Sequence, residues 1–178
     1  MKVLIIGDVM GKPGRDAMKE FLDKKKNDYD FVIVNGENAA AGFGITPKIA
    51  DEFFELGVDV ITSGNHIWDK KELYPYLNEN RNILRPLNYP KGVPGFGYTI
   101  KENGKGDKIA VINIQGRVFM PEVDSPFQRI EEAIEEIKKE TKNIIVDFHA
   151  EATSEKLAMG WSLDGRVSAA YGTHTHVQ

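Results

Sequence analysis

The segment FVIVNGEN, residues 31–38, joins a short apolar run rich in β-branched side chains to a group of polar residues. A run of this length and composition predicts a strand that is covered on both faces. Its carboxyl end carries Glu37 and Asn38, whose side-chain oxygens suit a divalent cation. The segment therefore predicts a buried strand that ends at a functional site, as the strands of open α/β sheets commonly do.

The same pattern recurs five times along the chain, in residues 2–9, 58–66, 108–116, 143–150 and 167–176. Helical patterns lie between several of these runs, at residues 14–26, 46–57 and 125–140. In the second helix, Thr46 is a predicted N-cap, Pro47 the first helical residue and Gly57 the C-terminal cap. Strands that alternate with helices predict a layered α/β fold.

Residues 82–107 depart from this alternation. They are rich in Gly and Pro and end in a predicted hairpin turn. We expect an antiparallel pair of strands to join the sheet there. No repeat or linker interrupts the chain, so residues 1–178 are expected to form one domain.

The composition excludes several classes of protein. The chain has 27 acidic and 23 basic side chains and a net charge of −4, so stable binding to nucleic acid is not expected. It has no cysteine, which excludes disulfides, thiolate metal ligands and cysteine nucleophiles. No apolar run is long enough to span a membrane, and we expect a cytoplasmic protein.

All four histidines of the chain lie at predicted strand ends, together with acidic and amide side chains. The polar residues at these ends are Asp8, Glu37, Asn38, Asn65, His66, His149, His174 and His176. The carboxyl ends of the strands meet at one edge of an open α/β sheet, so these side chains should converge. Imidazole, carboxylate and amide groups without thiolate form a ligand set for a first-row metal.

Each of these residues also has a purely structural interpretation. Asp8 is suited to capping the following helix, and Glu37 and Asn38 to bonding their own loop backbone. A single buried histidine such as His149 is more often a hydrogen-bonded structural residue than a ligand. The coincidence at five separate strand ends favours a metal site over these interpretations.

The motifs also resemble those of a known family. In order, GDV at 7–9, GEN at 36–38, GNH at 64–66, the single His149 and GTHTH at 172–176 resemble the motifs of calcineurin-like metallophosphoesterases. The strings NGENAAAGFGIT, TSGNHIWDKKE, DFHAEATSEK and GTHTHVQ resemble the YmdB-like phosphodiesterases within that superfamily more closely still. This resemblance covers essentially the whole chain. It implies a layered αββα sandwich of mixed sheets flanked by helices.

The resemblance also implies a role for each polar residue. Asp8, Glu37, Asn38 and His176 would hold one metal ion, and Glu37, Asn65, His149 and His174 a second. Glu37 would bridge the two ions, and His66 would face the substrate as general acid. Where the superfamily has a histidine after the first strand, this chain has Met10, and Asn38 is the natural replacement ligand.

By the same resemblance, the chain would hydrolyse 2′,3′-cyclic and also 3′,5′-cyclic nucleotides. A metal-bridging hydroxide would attack the phosphorus, with His66 protonating the leaving oxygen. Nitrogen and oxygen ligands favour iron or manganese, with zinc as the alternative. Two other functions stay open: a metal-dependent nucleotide-binding regulator or scaffold with little turnover, and a phosphomonoesterase or nuclease using the same site.

Four further residues have two interpretations each. Asp69 caps a helix or orients His66, and the cap is favoured. Arg117 and Phe119 contact the phosphate and base of the substrate, or form a surface ion pair and a packing contact. Thr153 is a predicted N-cap, with the alternative that residues 151–153 line the pocket.

The family normally continues beyond the point that corresponds to residue 178. We therefore expect that this chain is a fragment or a shortened variant lacking the last strands of the sandwich, or that another subunit covers this end. We also expect a homo-oligomer. In a true 178-residue chain, His174 and His176 would be the least ordered ligands.

Overall fold

A computed structural model describes residues 1–177. The strands are β1 (Val3–Ile6), β2 (Phe31–Asn35), β3 (Val60–Thr62), β4 (Tyr98–Glu102), β5 (Lys108–Gln115), β6 (Ile144–Ala150) and β7 (Ala169–His174). The α-helices are α1 (Gly11–Lys25), α2 (Pro47–Glu55), α3 (Leu73–Glu79), α4 (Pro126–Ile137) and α5 (Thr153–Leu163). Two short 3-10 helices span Lys26–Asp28 and Asn65–Trp68.

The strands form two sheets. The first has the order β1-β2-β3 and is entirely parallel. The second has the order β4-β5-β6-β7, with β4 antiparallel to β5 and the others parallel. The antiparallel pair predicted around residues 82–107 is therefore confirmed. Within residues 1–177, the first sheet is therefore parallel and the second is mixed.

Alternation along the strands divides the core into three layers. On β2, Val32 and Val34 pack towards the helices, whereas Phe31 and Ile33 pack towards the second sheet. Successive side chains of a strand point to opposite faces, so each sheet contributes one face to the layer between the sheets. The predicted αββα sandwich is confirmed, and its inter-sheet layer consists at one end of Phe31, Ile33, Val60, Leu84, Ile109, Val111 and Ile145.

The helices cover the outer faces as their patterns predict. Thr46 caps α2 by accepting a hydrogen bond from the Ile49 amide at 3.2 Å, and Pro47 is the first helical residue. On α4, the apolar stripe of Ile130, Ala133, Ile134 and Ile137 is buried against the second sheet. No helix in residues 1–177 is long and apolar enough to cross a membrane.

Replacing Phe31 with Ala should test the layer between the sheets. The ring is 1% exposed and packs between the two sheets, so its loss should lower the free energy of unfolding by about 3–5 kcal/mol. Urea denaturation measures this change. Phe119→Ala, which removes a ring that is 89% exposed, should leave the free energy of unfolding within about 0.5 kcal/mol of the wild type. A loss below about 1 kcal/mol for Phe31→Ala would mean that the sheets close over the gap.

Candidate metal centre

The layer between the sheets becomes polar at the carboxyl ends of the strands. Asn35 follows Phe31 and Ile33 on the same face of β2, and Asp147 and His149 follow Ile145 on the same face of β6. All three polar residues are fully buried. The alternation that builds the apolar layer therefore also directs these polar side chains between the sheets.

Glu37 lies at the centre of the polar group. The Glu37 amide donates a hydrogen bond of 3.1 Å to Asn35 Oδ1, which fixes the turn after β2. The Glu37 side chain is 1% exposed, and the His66 amide donates to its Oε2 at 3.3 Å. Burial raises the pKa of this carboxyl, but its contacts with His149 and His174 outweigh burial and lower the pKa to about 2. Glu37 is therefore a carboxylate at neutral pH.

Two imidazoles meet the Glu37 carboxylate. His149 Nε2 lies 3.0 Å from Glu37 Oε1, and His174 Nδ1 lies 4.0 Å from the same oxygen. The two ring nitrogens are 3.2 Å apart. Ligand atoms of these three residues all lie within 4.8 Å of one another, which is close enough to share one cation. The pKa of His174 is raised by its contact with Glu37, which outweighs desolvation.

The hydrogen-bond partners of His149 determine which of its nitrogens carries a proton. The Thr173 hydroxyl donates to Asp147 Oδ1 at 2.6 Å, because an ionised carboxylate has no proton to give. The 2.9 Å bond between His149 Nδ1 and Thr173 Oγ1 must then use the proton of Nδ1. In the neutral ring, the lone pair of Nε2 faces Glu37 Oε1.

His174 is oriented in the same sense by a different carboxylate. Its Nε2 lies 3.0 Å from Glu151 Oε2, which favours the proton on that nitrogen. In the neutral ring, its Nδ1 then presents a lone pair towards His149 and Glu37. Three electron-pair donors thus face one another at short range, an arrangement that a cation stabilises.

Asp8 and His176 form a second pair beside the first group. His176 Nε2 lies 2.9 Å from Asp8 Oδ2, and the same oxygen accepts a hydrogen bond of 2.8 Å from the His174 amide. The Asp8 side chain is 2% exposed, whereas that of His176 is 41% exposed. Asp8, in the loop after β1 of the first sheet, therefore fixes the end of β7 in the second sheet.

Three buried oxygens at this edge have no hydrogen-bond partner in residues 1–177: Asp8 Oδ1, Asn38 Oδ1 and Asn65 Oδ1. All three belong to residues expected to bind metal. The amide nitrogen of Asn38 is satisfied, since it donates to the Gly42 carbonyl at 2.8 Å. A buried acceptor without a partner is costly, and a cation would remove that cost. The residues present therefore fit the metal ions that the sequence predicts.

Gly64 allows the backbone to pass close to this group. A Cβ atom there would lie 2.1 Å from His149 Nε2 and 2.3 Å from Glu37 Oε2. The glycine in the GNH motif is therefore required by packing against the ligands. It also positions the short helix Asn65–Trp68, which carries Asn65 and His66.

His66 lies at the rim of the centre. Its side chain is 26% exposed, and its Nδ1 lies 2.8 Å from Asp69 Oδ2. The interpretation of Asp69 as a helix cap is wrong, because α3 begins at Leu73 after Glu72 and has no side-chain cap. The alternative role for Asp69, orienting His66, agrees with this contact.

The structure places the remaining candidates in nearby loops. Arg117 and Phe119 are exposed and follow β5, whose last residue Gln115 pairs with His149. The Arg117 amide donates to the Glu155 carboxylate at 2.9 Å. Their role as substrate contacts stays a prediction.

The structure corrects the expected start of α5. Thr153 is the first residue of this helix, Ala152 occupies the cap position and no side chain caps it. The predicted N-cap at Thr153 is therefore wrong. Capping would require Thr153 to precede the helix and its hydroxyl to accept a hydrogen bond from the first turn, but Thr153 is itself helical.

Sequence reasoning missed the residues that support the ligands. Asp147, Thr62 and Thr173 lie within strands, and although the quoted motifs include them, no role is predicted for them. The Thr62 hydroxyl donates to Asp147 Oδ2 at 2.5 Å, and Asn35 Nδ2 donates to the same oxygen at 3.0 Å. Burial raises the pKa of Asp147 to about 6, against the lowering effect of its hydrogen bonds. The spacing of Asp147, two residues before His149, is the signal that both face the same layer.

This fold, with acidic and imidazole side chains at the carboxyl ends of its strands, is a phosphatase-type α/β sandwich. The family described as "YmdB-like protein" matches residues 4–178, and the chain belongs to that family. The chain is 55% identical to the 2′,3′-cyclic-nucleotide 2′-phosphodiesterase of Bacillus subtilis (strain 168) over 181 residues. That match covers the whole of this chain and 68% of the relative.

Two solved structures share the fold. The first is a hypothetical protein from Thermus thermophilus, with a TM-score of 0.93 and 46% identity over 99% of this chain and 69% of that one. The second, described as a novel phosphatase of Mycoplasma pneumoniae, has a TM-score of 0.89 and 38% identity. It covers 99% of this chain and 65% of its own, so the chain spans about two thirds of the proteins that it matches.

Thr173→Val should weaken metal binding with little change of shape. The variant removes the hydroxyl that accepts from His149 Nδ1 and donates to Asp147. Loss of such a supporting contact typically costs about 10- to 100-fold in metal affinity. Titration with Mn²⁺ against a competing chelator measures the affinity.

Thr141→Val is the matched control. Thr141 is also buried and donates its hydroxyl to the Lys108 carbonyl, but at the opposite end of the second sheet. Its metal affinity should equal that of the wild type. A folded Thr173→Val protein with unchanged affinity would show that Thr173 does not orient His149.

Proposed function

We propose that this chain is a metal-dependent phosphodiesterase that hydrolyses nucleoside 2′,3′-cyclic monophosphates, with His66 as general acid. The observation that carries the proposal is the convergence of Glu37 Oε1 with Nε2 of His149 and Nδ1 of His174, bordered by His66. The similarity to the Bacillus subtilis enzyme supports the choice of substrate.

Seven side chains would hold two ions, as the sequence predicts: Asp8, Glu37, Asn38, Asn65, His149, His174 and His176. Iron or manganese is the expected metal, with zinc as the alternative. When bound, the ions supply charge compensation for the phosphate and a nucleophile at neutral pH. Asp8 and Glu37 are the only anionic members of the set, so two divalent ions leave a positive charge that favours an anionic ester.

The Asp69 carboxylate would orient His66 by accepting the Nδ1 proton, so that Nε2 faces the leaving group. An acceptor 2.8 Å from Nδ1 fixes that nitrogen as a donor to Asp69. In the imidazolium form Nε2 also carries a proton, and the ring is exposed enough to meet a substrate. Hydrolysis forms one bond from a water oxygen to phosphorus and breaks the bond from phosphorus to the 2′-oxygen. One proton of that water passes to solvent, from which His66 later regains its own. The 2′-oxygen takes the Nε2 proton, and the product is a nucleoside 3′-phosphate.

The same site is expected to accept 3′,5′-cyclic nucleotides, whose phosphodiester carries the same charge. Assembly as a homo-oligomer also stays a prediction. A substrate panel addresses the first of these points, and light scattering addresses the second.

His66→Gln tests the role of the general acid. Removal of a general acid typically costs about 10²- to 10⁴-fold in kcat, so hydrolysis of 2′,3′-cyclic AMP should fall by that factor. Metal content should stay at the wild-type level, because His66 is not a ligand in this proposal. Cleavage of bis(p-nitrophenyl) phosphate should fall much less, since its leaving group needs no proton.

Asp69→Asn is the companion variant, and a smaller loss of kcat on 2′,3′-cyclic AMP is expected because it affects only the orientation of His66.

If His66→Gln cleaves the cyclic nucleotide at the wild-type rate, His66 is not the acid. If the wild type loaded with iron or manganese cleaves neither ester, the phosphodiesterase proposal fails and a binding or regulatory role is favoured.

A further inference from the structure

Phe43 is an exposed ring in a loop whose two ends are buried. The loop of residues 39–45 follows Glu37 and Asn38 directly. Ala39 and Ile45 are fully buried, whereas Phe43 is 58% exposed. A large apolar ring in water carries a free-energy cost that burial against a ligand would remove.

The backbone of this loop is held firmly. The Ala40 amide donates to the Gly44 carbonyl at 2.8 Å, and the Gly42 amide donates to the Asn38 carbonyl at 3.0 Å. Gly42 and Gly44 both have positive φ, which closes the turn around Phe43. The exposed position of the ring is therefore set by the fold.

The loop packs directly on the residues around the general acid. The Phe43 and His66 rings lie 5.0 Å apart between centroids, at 69° to each other. A Cβ atom on Gly44 would lie 3.0 Å from the His66 carbonyl, which shows how closely the loop approaches. The Gly42 carbonyl also holds Asn38, so one loop contacts both a candidate ligand and the candidate acid.

The chemistry of the substrate places its base near this ring. In a nucleoside 2′,3′-cyclic monophosphate, the 2′-oxygen is bonded to C2′, and C2′ is bonded to the C1′ that carries the base. The base is therefore three bonds away from the 2′-oxygen. A substrate whose 2′-oxygen faces His66 must also hold its base near that imidazole. Aromatic side chains bind bases by stacking, without requiring a particular base.

We propose that Phe43 is a substrate-binding residue that stacks on the nucleobase of a nucleoside 2′,3′-cyclic monophosphate. This inference rests on the proposed function, because it requires the 2′-oxygen to face His66. It also explains why an exposed ring lies in this loop: Phe43 lies edge-to-face with His66, and its ring, which is 58% exposed, remains accessible to the base. Selectivity for nucleotides over simple cyclic esters would then come from this loop.

The experiment compares two cyclic esters that share the reacting phosphate. 2′,3′-Cyclic AMP has a base, and glycerol 1,2-cyclic phosphate has none. Phe43→Ala should raise the KM for 2′,3′-cyclic AMP about 10-fold, as expected for the loss of one base stack, and change kcat less than about 3-fold. The kcat/KM for glycerol 1,2-cyclic phosphate should not change. Phe43→Trp should restore the KM for 2′,3′-cyclic AMP.

Trp161→Ala is the matched control, since it removes another exposed ring, which lies on α5 and is 81% exposed. This variant should leave KM and kcat unchanged for both substrates. If Phe43→Ala impairs both esters equally, the ring serves only to support His66, and the proposal is overturned. If it impairs neither, Phe43 has no role in binding. Failure of the wild type to hydrolyse either ester would instead reject the proposed function itself.

Discussion

The buried carboxylate of Asp147 is the constraint on which the site depends. It accepts hydrogen bonds from Asn35 and Thr62 of the first sheet and from Thr173 of the second. A buried charge is tolerated only when such donors satisfy it, so the two sheets must meet in one register around Asp147. That register also sets the position of His149, two residues further along β6.

The site follows from this register through a short chain of contacts. Thr173 gives its proton to Asp147 and must therefore accept one from His149, which leaves the opposite nitrogen free towards Glu37. Glu151 orients His174 in the same sense. The candidate ligands are thus oriented by neighbours that are not themselves candidate ligands, as is usual for metal sites. This explains why supporting residues such as Thr173 should matter to metal affinity.

The loops around the site are built from unusual backbone conformations. In residues 1–177, the non-glycine residues with positive φ are Ala41, Phe119, His174 and His176. Ala41 lies in the loop of Phe43, and both histidines are candidate ligands. Such conformations cost free energy and persist where the surrounding structure enforces them, which is typical of functional loops. A rigid scaffold of parallel strands provides that support, while Phe43 and His66 remain open to a substrate.

The sequence by itself determined the layered α/β fold, the strand ends and the identity of the polar residues there. Apolar runs, helix caps and the order of the motifs are patterns of residues that are close together in the chain, so they can be recognised in the sequence alone. Only the tertiary structure showed that Asp69 contacts His66, that Asp147 joins the sheets and that Phe43 lies against His66. These contacts join residues through side-chain rotamers and strand register. Their physical cause is packing between distant segments, which no local pattern in the chain encodes.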